Sequence, residues 1–104
     1  MKLKVYELKT DRGGWLGTIV LSDDGKYFSL TDWGNINFHW DVKGEQEFED
    51  FILKLNTDYF GEKMYIGVNY IARDDGAENR CRRYADKILP ALQEEIKRQR
   101  QTNL

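Results

Sequence analysis

The chain has 104 residues, 40% of them hydrophobic and 33% charged, with a formal net charge of −2. Five Phe, six Tyr and three Trp supply a core for one domain over residues 1–104, which excludes a disordered tail, and the charge balance excludes a generally basic nucleic-acid binder. The lone cysteine, Cys81, excludes an internal disulfide, and no apolar run reaches signal-peptide or bilayer-spanning length, so a cytoplasmic protein without a membrane partner is expected.

The first forty residues read as antiparallel strands. "KLKVYEL" is rich in β-formers, and "DRGG" (Asp11 to Gly14) supplies a turn. "WLGTIVLS" (Trp15 to Ser22) is a nearly uninterrupted apolar run, which predicts burial on both faces. Gly17 inside it marks a bulge or a close packing contact. Asp23-Asp24-Gly25 then predicts a hairpin into "KYFSLTDW". After Gly34-Asn35, Ile36, Phe38 and Trp40 alternate with Asn37 and His39, so the aromatic pair points inward and the polar residues outward.

Helical spacing follows. Phe48, Phe51, Ile52, Leu55 and Tyr59 form one stripe over about residues 45–60, with Gly61 as the stop. Glu45, Glu47, Glu49 and Asp50 load its first turns, where the helix dipole favours negative charge. Met64, Ile66, Val68 and Tyr70 alternate, which makes residues 64–71 a candidate fifth strand. A second helix is predicted over about 76–99. Its stripe is Cys81, Tyr84, Ala85, Ile88, Leu89, Leu92 and Ile96, with a kink at Pro90 and a frayed polar end. The fold class is therefore α+β: an antiparallel meander of four or five strands packed with two α-helices.

Catalytic and metal constellations are sparse. One His and one Cys, His39 and Cys81, make no metal-ligand cluster, and "DDGK" and "DDGAE" are too short for a calcium loop. Arg80, Arg82 and Arg83 flank Cys81, but its place on the apolar stripe favours an inert core thiol over a nucleophile. No catalytic residue, metal or cofactor is assigned, and the protein is expected not to be an enzyme.

Charge and exposed aromatics carry more. Residues 1–60 hold seven Lys/Arg against eleven Asp/Glu, and residues 61–104 nine against seven, so any basic face belongs to the C-terminal helix. There Arg80, Arg83 and Lys87 recur at spacings of three and four, a face that could meet phosphates. Trp33, at a strand end beside Gly34, is placed either to anchor a partner or to cover the end of the core.

Asp32-Trp33-Gly34, Phe38-x-Trp40, Gly44, Phe48-x-x-Phe51-Ile52-Leu53 and Asp58-Tyr59-Phe60 with Lys63 together resemble a group of small phage and prophage proteins. That group shares an acidic–aromatic–Gly turn, an aromatic-x-Trp strand, a Phe-x-x-Phe-Leu helix and an Asp-Tyr-aromatic ending. The likeness spans about residues 27–63. It implies a non-enzymatic accessory protein that binds a host protein or ribonucleoprotein in the bacterial cytoplasm. Anti-CRISPR proteins, which block Cas effectors, are the specific case. An inhibitor that fills a basic substrate groove should lead with carboxylates, which nominates Glu45, Glu47 and Asp50 with Trp33 as the apolar anchor. The alternative is a phage nucleic-acid-binding accessory protein using Arg80, Arg83 and Lys87. The oligomeric state is not legible.

Overall fold

A computed structural model describes residues 1–68 and 75–102. Strands β1 (Leu3–Lys9), β2 (Trp15–Ser22), β3 (Lys26–Thr31) and β4 (Phe38–His39) form one antiparallel meander in sequence order. Helices α1 (Glu45–Lys54), α2 (Thr57–Gly67) and α3 (Ala77–Thr102) follow. Over these residues the architecture is α+β, a four-stranded sheet with three helices.

The hairpins close where turn chemistry predicts. Gly25, at φ +92°, takes the left-handed position of the β2–β3 turn, and its carbonyl accepts from the Trp40 N–H at 2.9 Å. The register irregularity falls between Leu8 and Lys9, where β1 meets Trp15. Gly17 is a close-packing site instead: a β-carbon there would lie 2.7 Å from the Thr31 methyl on β3.

One sheet face carries the core. Tyr6, Leu8, Ile19, Leu21 and Tyr27 point to the helices and are buried. Trp40 is the hub, with the rings of Phe38, Phe51, Phe48, Tyr27 and Phe60 at centroid distances from 4.6 to 6.2 Å. Its indole N–H is buried with no hydrogen-bond partner among the described residues. That omission costs about 1–3 kcal/mol, which several edge-to-face contacts worth about 0.5–1.5 kcal/mol each offset. A hydroxyl chain joins α3 to the sheet. The Tyr27 and Tyr84 hydroxyls lie 2.6 Å apart, and Tyr84 donates to Ser29 Oγ, which donates to the Ile36 carbonyl. Burial pushes the Tyr84 hydroxyl up to about 12.

Several expectations change. The helix over about 45–60 is two helices: Leu55 is extended, and Asn56 caps α2 by accepting the Tyr59 N–H at 2.8 Å. Gly61 is therefore no stop. It lies inside α2, buried against α3, where a β-carbon would make an ordinary contact 3.5 Å from Ala85. The candidate fifth strand over 64–71 is helical through Gly67, because Phe60, Gly61 and Met64 bury at helical spacing; residues 69–71 lie outside the described residues. Phe51 is only part-buried, and Phe48 and Ile52 hold the fully buried positions.

β2 also departs from two-sided burial. Its inner residues are covered by helices, but among the described residues no element packs on the outer face, where Thr18 and Val20 of β2 are part-buried and Leu3 and Val5 of β1 and Phe28 and Leu30 of β3 are exposed. The polar end of α3, expected to fray, is helical as far as Thr102, and residues 103–104 lie outside the described residues. The helix continues through Pro90 to Thr102, and Arg100 is held by α1.

Candidate protein-interaction surface

Trp33 sits on a turn held by its neighbours' side chains. Thr31 Oγ1 accepts the Trp33 N–H at 3.0 Å and donates to the Gly34 carbonyl at 2.6 Å. Asn35 Oδ1 accepts the Thr31 N–H at 3.1 Å, and Gly34 at φ +126° lets the chain double back. The indole is thus presented on a fixed backbone while remaining 40% exposed. The Lys87 ammonium lies 5.6 Å from its ring centroid, a cation–π contact worth about 0.5–1 kcal/mol at an exposed site.

Trp33 and Lys87 stand on the wall of a groove of ≈ 1250 Å³ between α3 and the β1–β2 hairpin. Pro90 and Ala91 contribute apolar surface to it, with the buried Leu8 and Leu16 at its floor. The charges along it are mixed: Lys9 and Asp11 on the hairpin, Glu94, Lys97 and Arg98 on the helix. Two of the helical cations are internally paired, Lys97 with Glu94 at 3.5 Å and Arg98 with Glu95 at 2.6 Å. The latter pair holds the Glu95 carboxyl below the usual range.

Arg80 and Arg83 are exposed on the same flank of α3 as Lys87, as their spacing of three and four requires. Trp33 therefore joins the cationic flank. The acidic group lies elsewhere. Glu45 pairs with Lys4 at 3.2 Å, and Asp50 pairs with Arg100 at 2.8 Å. Arg100 and Lys87 are about 20 Å apart along α3 and lie on different flanks of it. The structure thus does not bring Trp33 beside Glu45, Glu47 and Asp50. Two of those three carboxylates serve the fold, and only Glu47 is exposed with no ion pair among the described residues.

Glu49 is the residue that sequence reasoning misplaced most. Expected among exposed first-turn acids, it is 4% exposed. Tyr6 Oη at 2.5 Å and Lys4 Nζ at 2.9 Å donate to one oxygen, and Arg100 Nε at 3.2 Å donates to the other. Burial pushes the carboxyl up, but these donors outweigh it and the net shift is downward. The available signal is positional: Glu49 lies beside Phe48 and one turn from Ile52, on the buried side of the stripe.

His39 and Cys81 do not meet. His39 is exposed on the outer side of the sheet, its Nε2 3.1 Å from the Asp24 carbonyl, while Cys81 is buried in the helix layer. Among the described residues, no three His, Cys, Asp or Glu are grouped to hold a metal ion. No helix of these residues is long and apolar enough to cross a membrane.

A family model described as a phage family matches residues 1–76, covering all four strands, α1 and α2 and ending before α3. No curated protein and no solved structure matches the chain.

Proposed function

We propose that this chain, which belongs to a phage protein family, acts without catalysis by binding and inhibiting a host protein machine, with a defence nuclease such as a CRISPR effector as the target. The observation that carries this reading is Trp33, an exposed indole on a hydrogen-bonded turn at the wall of a part-apolar groove. A rigid aromatic beside a cation and a concave apolar surface is the usual make-up of an interface hot spot. The mixed charges of the groove suit a protein surface better than a polyanion. Trp33 also lies within the part of the chain that the family shares, and the arginine flank does not.

A second reading keeps some weight from one observation: Trp33 adjoins Lys87, on the flank of Arg80 and Arg83, so a stacked base with nearby phosphate contacts is geometrically open. One experiment separates the two. Purified protein is titrated into a host effector's target-cleavage assay and, separately, into labelled single- and double-stranded nucleic acid at two salt concentrations. Inhibition of cleavage that Trp33→Ala weakens at least tenfold, without nucleic-acid binding, supports the host-protein reading. Steeply salt-dependent nucleic-acid binding, lost in Arg80→Ala/Arg83→Ala/Lys87→Ala, overturns it in favour of the second.

A further inference from the structure

We propose that the outer face of the sheet is the contact between two copies of this chain, packed face to face with their strands crossing near a right angle. An antiparallel sheet with one face to solvent normally carries polar residues there. Here the outward row across three strands is Val5, Val20 and Phe28. Leu3 and Leu30 extend it, and these two residues and Val5 are each more than half exposed. Trp15, 45% exposed, lies at the β1–β2 end of the same face.

The pattern is self-complementary. The register places Leu3, Val20 and Leu30 on one diagonal of the face, with Glu7, whose carboxylate accepts from Thr18 Oγ1, and Lys26, in an exposed pair with Asp24 at 3.2 Å, at the two remaining corners. With strands about 4.8 Å apart and about 3.4 Å per residue, those corners outline a rectangle of roughly 10 by 14 Å centred on Val20. A two-fold axis between the sheets, running near the leucine diagonal at about 45° to the strands, gives the orthogonal mode of sheet packing. Leu3, Val20 and Leu30 then meet their own counterparts. Glu7 comes within about 3 Å, in projection, of the partner's Lys26, and symmetry repeats that pair. Axes along or across the strands instead set Glu7 against a leucine.

The area is sufficient. Half-exposed aliphatic and aromatic side chains of this number leave on the order of 500 Å² of apolar surface per copy, or about 1,000 Å² for the pair, the lower bound for a specific interface. A host protein on this face would have to match the same diagonal and the same opposed charges, whereas a second copy matches them by symmetry.

Sedimentation equilibrium of the full chain over a wide concentration range tests this. The expected result is a reversible approach to twice 12.3 kDa. Phe28→Glu/Leu30→Glu, whose side chains face outward, should keep its circular dichroism and remain a monomer. Glu7→Lys and Lys26→Glu should each weaken the dimer at least tenfold, and the double exchange should restore it. A wild type that stays monomeric at the highest concentration overturns the proposal. So does a dimer indifferent to Phe28→Glu/Leu30→Glu or to the charge exchange. Capture of a host effector by a monomeric wild type that is lost in Phe28→Glu/Leu30→Glu would also overturn it, and would assign the face to that effector.

Discussion

Replacing Glu49 with Ala should be among the most damaging single substitutions in this protein, although the residue sits in an acidic run. The side chain is 5% exposed and accepts from three donors. Tyr6 is fully buried, so its hydroxyl would be left without an acceptor at a cost of about 1–3 kcal/mol. Lys4 and Arg100 keep Glu45 and Asp50 as partners and are 26% and 34% exposed, so each loses only about 0.5 kcal/mol. The vacated methylene adds about 1 kcal/mol. The total is about 3–5 kcal/mol, a fall in Tm of roughly 12–40 °C at about 4–8 °C per kcal/mol for a chain of this size. Thermal and urea denaturation followed by circular dichroism would measure it. Tyr6→Phe removes the orphaned hydroxyl, so Glu49→Ala should cost about 1–2 kcal/mol less in that background. A loss below about 1 kcal/mol, or no coupling to Tyr6, would refute the reasoning.

Two further outcomes follow from the same geometry. The folded carboxyl of Glu49 lies below its ordinary value of 4.5, so its contribution is present above that pH and is lost as pH falls through the folded value; Glu49→Gln should flatten the acid limb of a Tm-against-pH curve, and an unchanged slope would count against the network. Gly25→Ala places a β-carbon 2.0 Å from the Trp40 carbonyl at φ +92° and should cost more than about 3 kcal/mol, whereas Gly13→Ala, at φ +85° with nothing within 4 Å, should cost only about 1–2 kcal/mol in urea titrations; equal losses would mean that left-handed strain alone matters.

Local pattern reading succeeded where one element's own residues decide the outcome. The seven-residue stripe of α3 is buried throughout, the Asp23-Asp24-Gly25 turn closes β2 onto β3, and Ile36 and Trp40 enter the core while His39 stays out. It failed over residues 55–67. Met64, Ile66 and Val68 alternate as a strand would, whereas the Asn56 cap and the burial of Phe60, Gly61 and Met64 at helical spacing make that stretch helix. The constellation that resembles phage proteins turns out to be largely core: Phe38, Trp40, Phe48, Phe51 and Phe60 form one aromatic cluster, leaving Trp33 as its most exposed aromatic.

The meander, the amphipathic faces and the turns are legible residue by residue, because spacing, β-branching and glycine act within a few positions. Which charges are available and which apolar surface is left open depends on long-range packing. Glu49 reaches Lys4 and Arg100 across 45 and 51 residues of chain, so Asp50 and Glu45 become internal partners, not free acids. β2 carries apolar residues toward both sides, but three helices fold onto one side alone. A one-dimensional pattern records how greasy a strand is, whereas coverage of its second face depends on where distant elements come to rest.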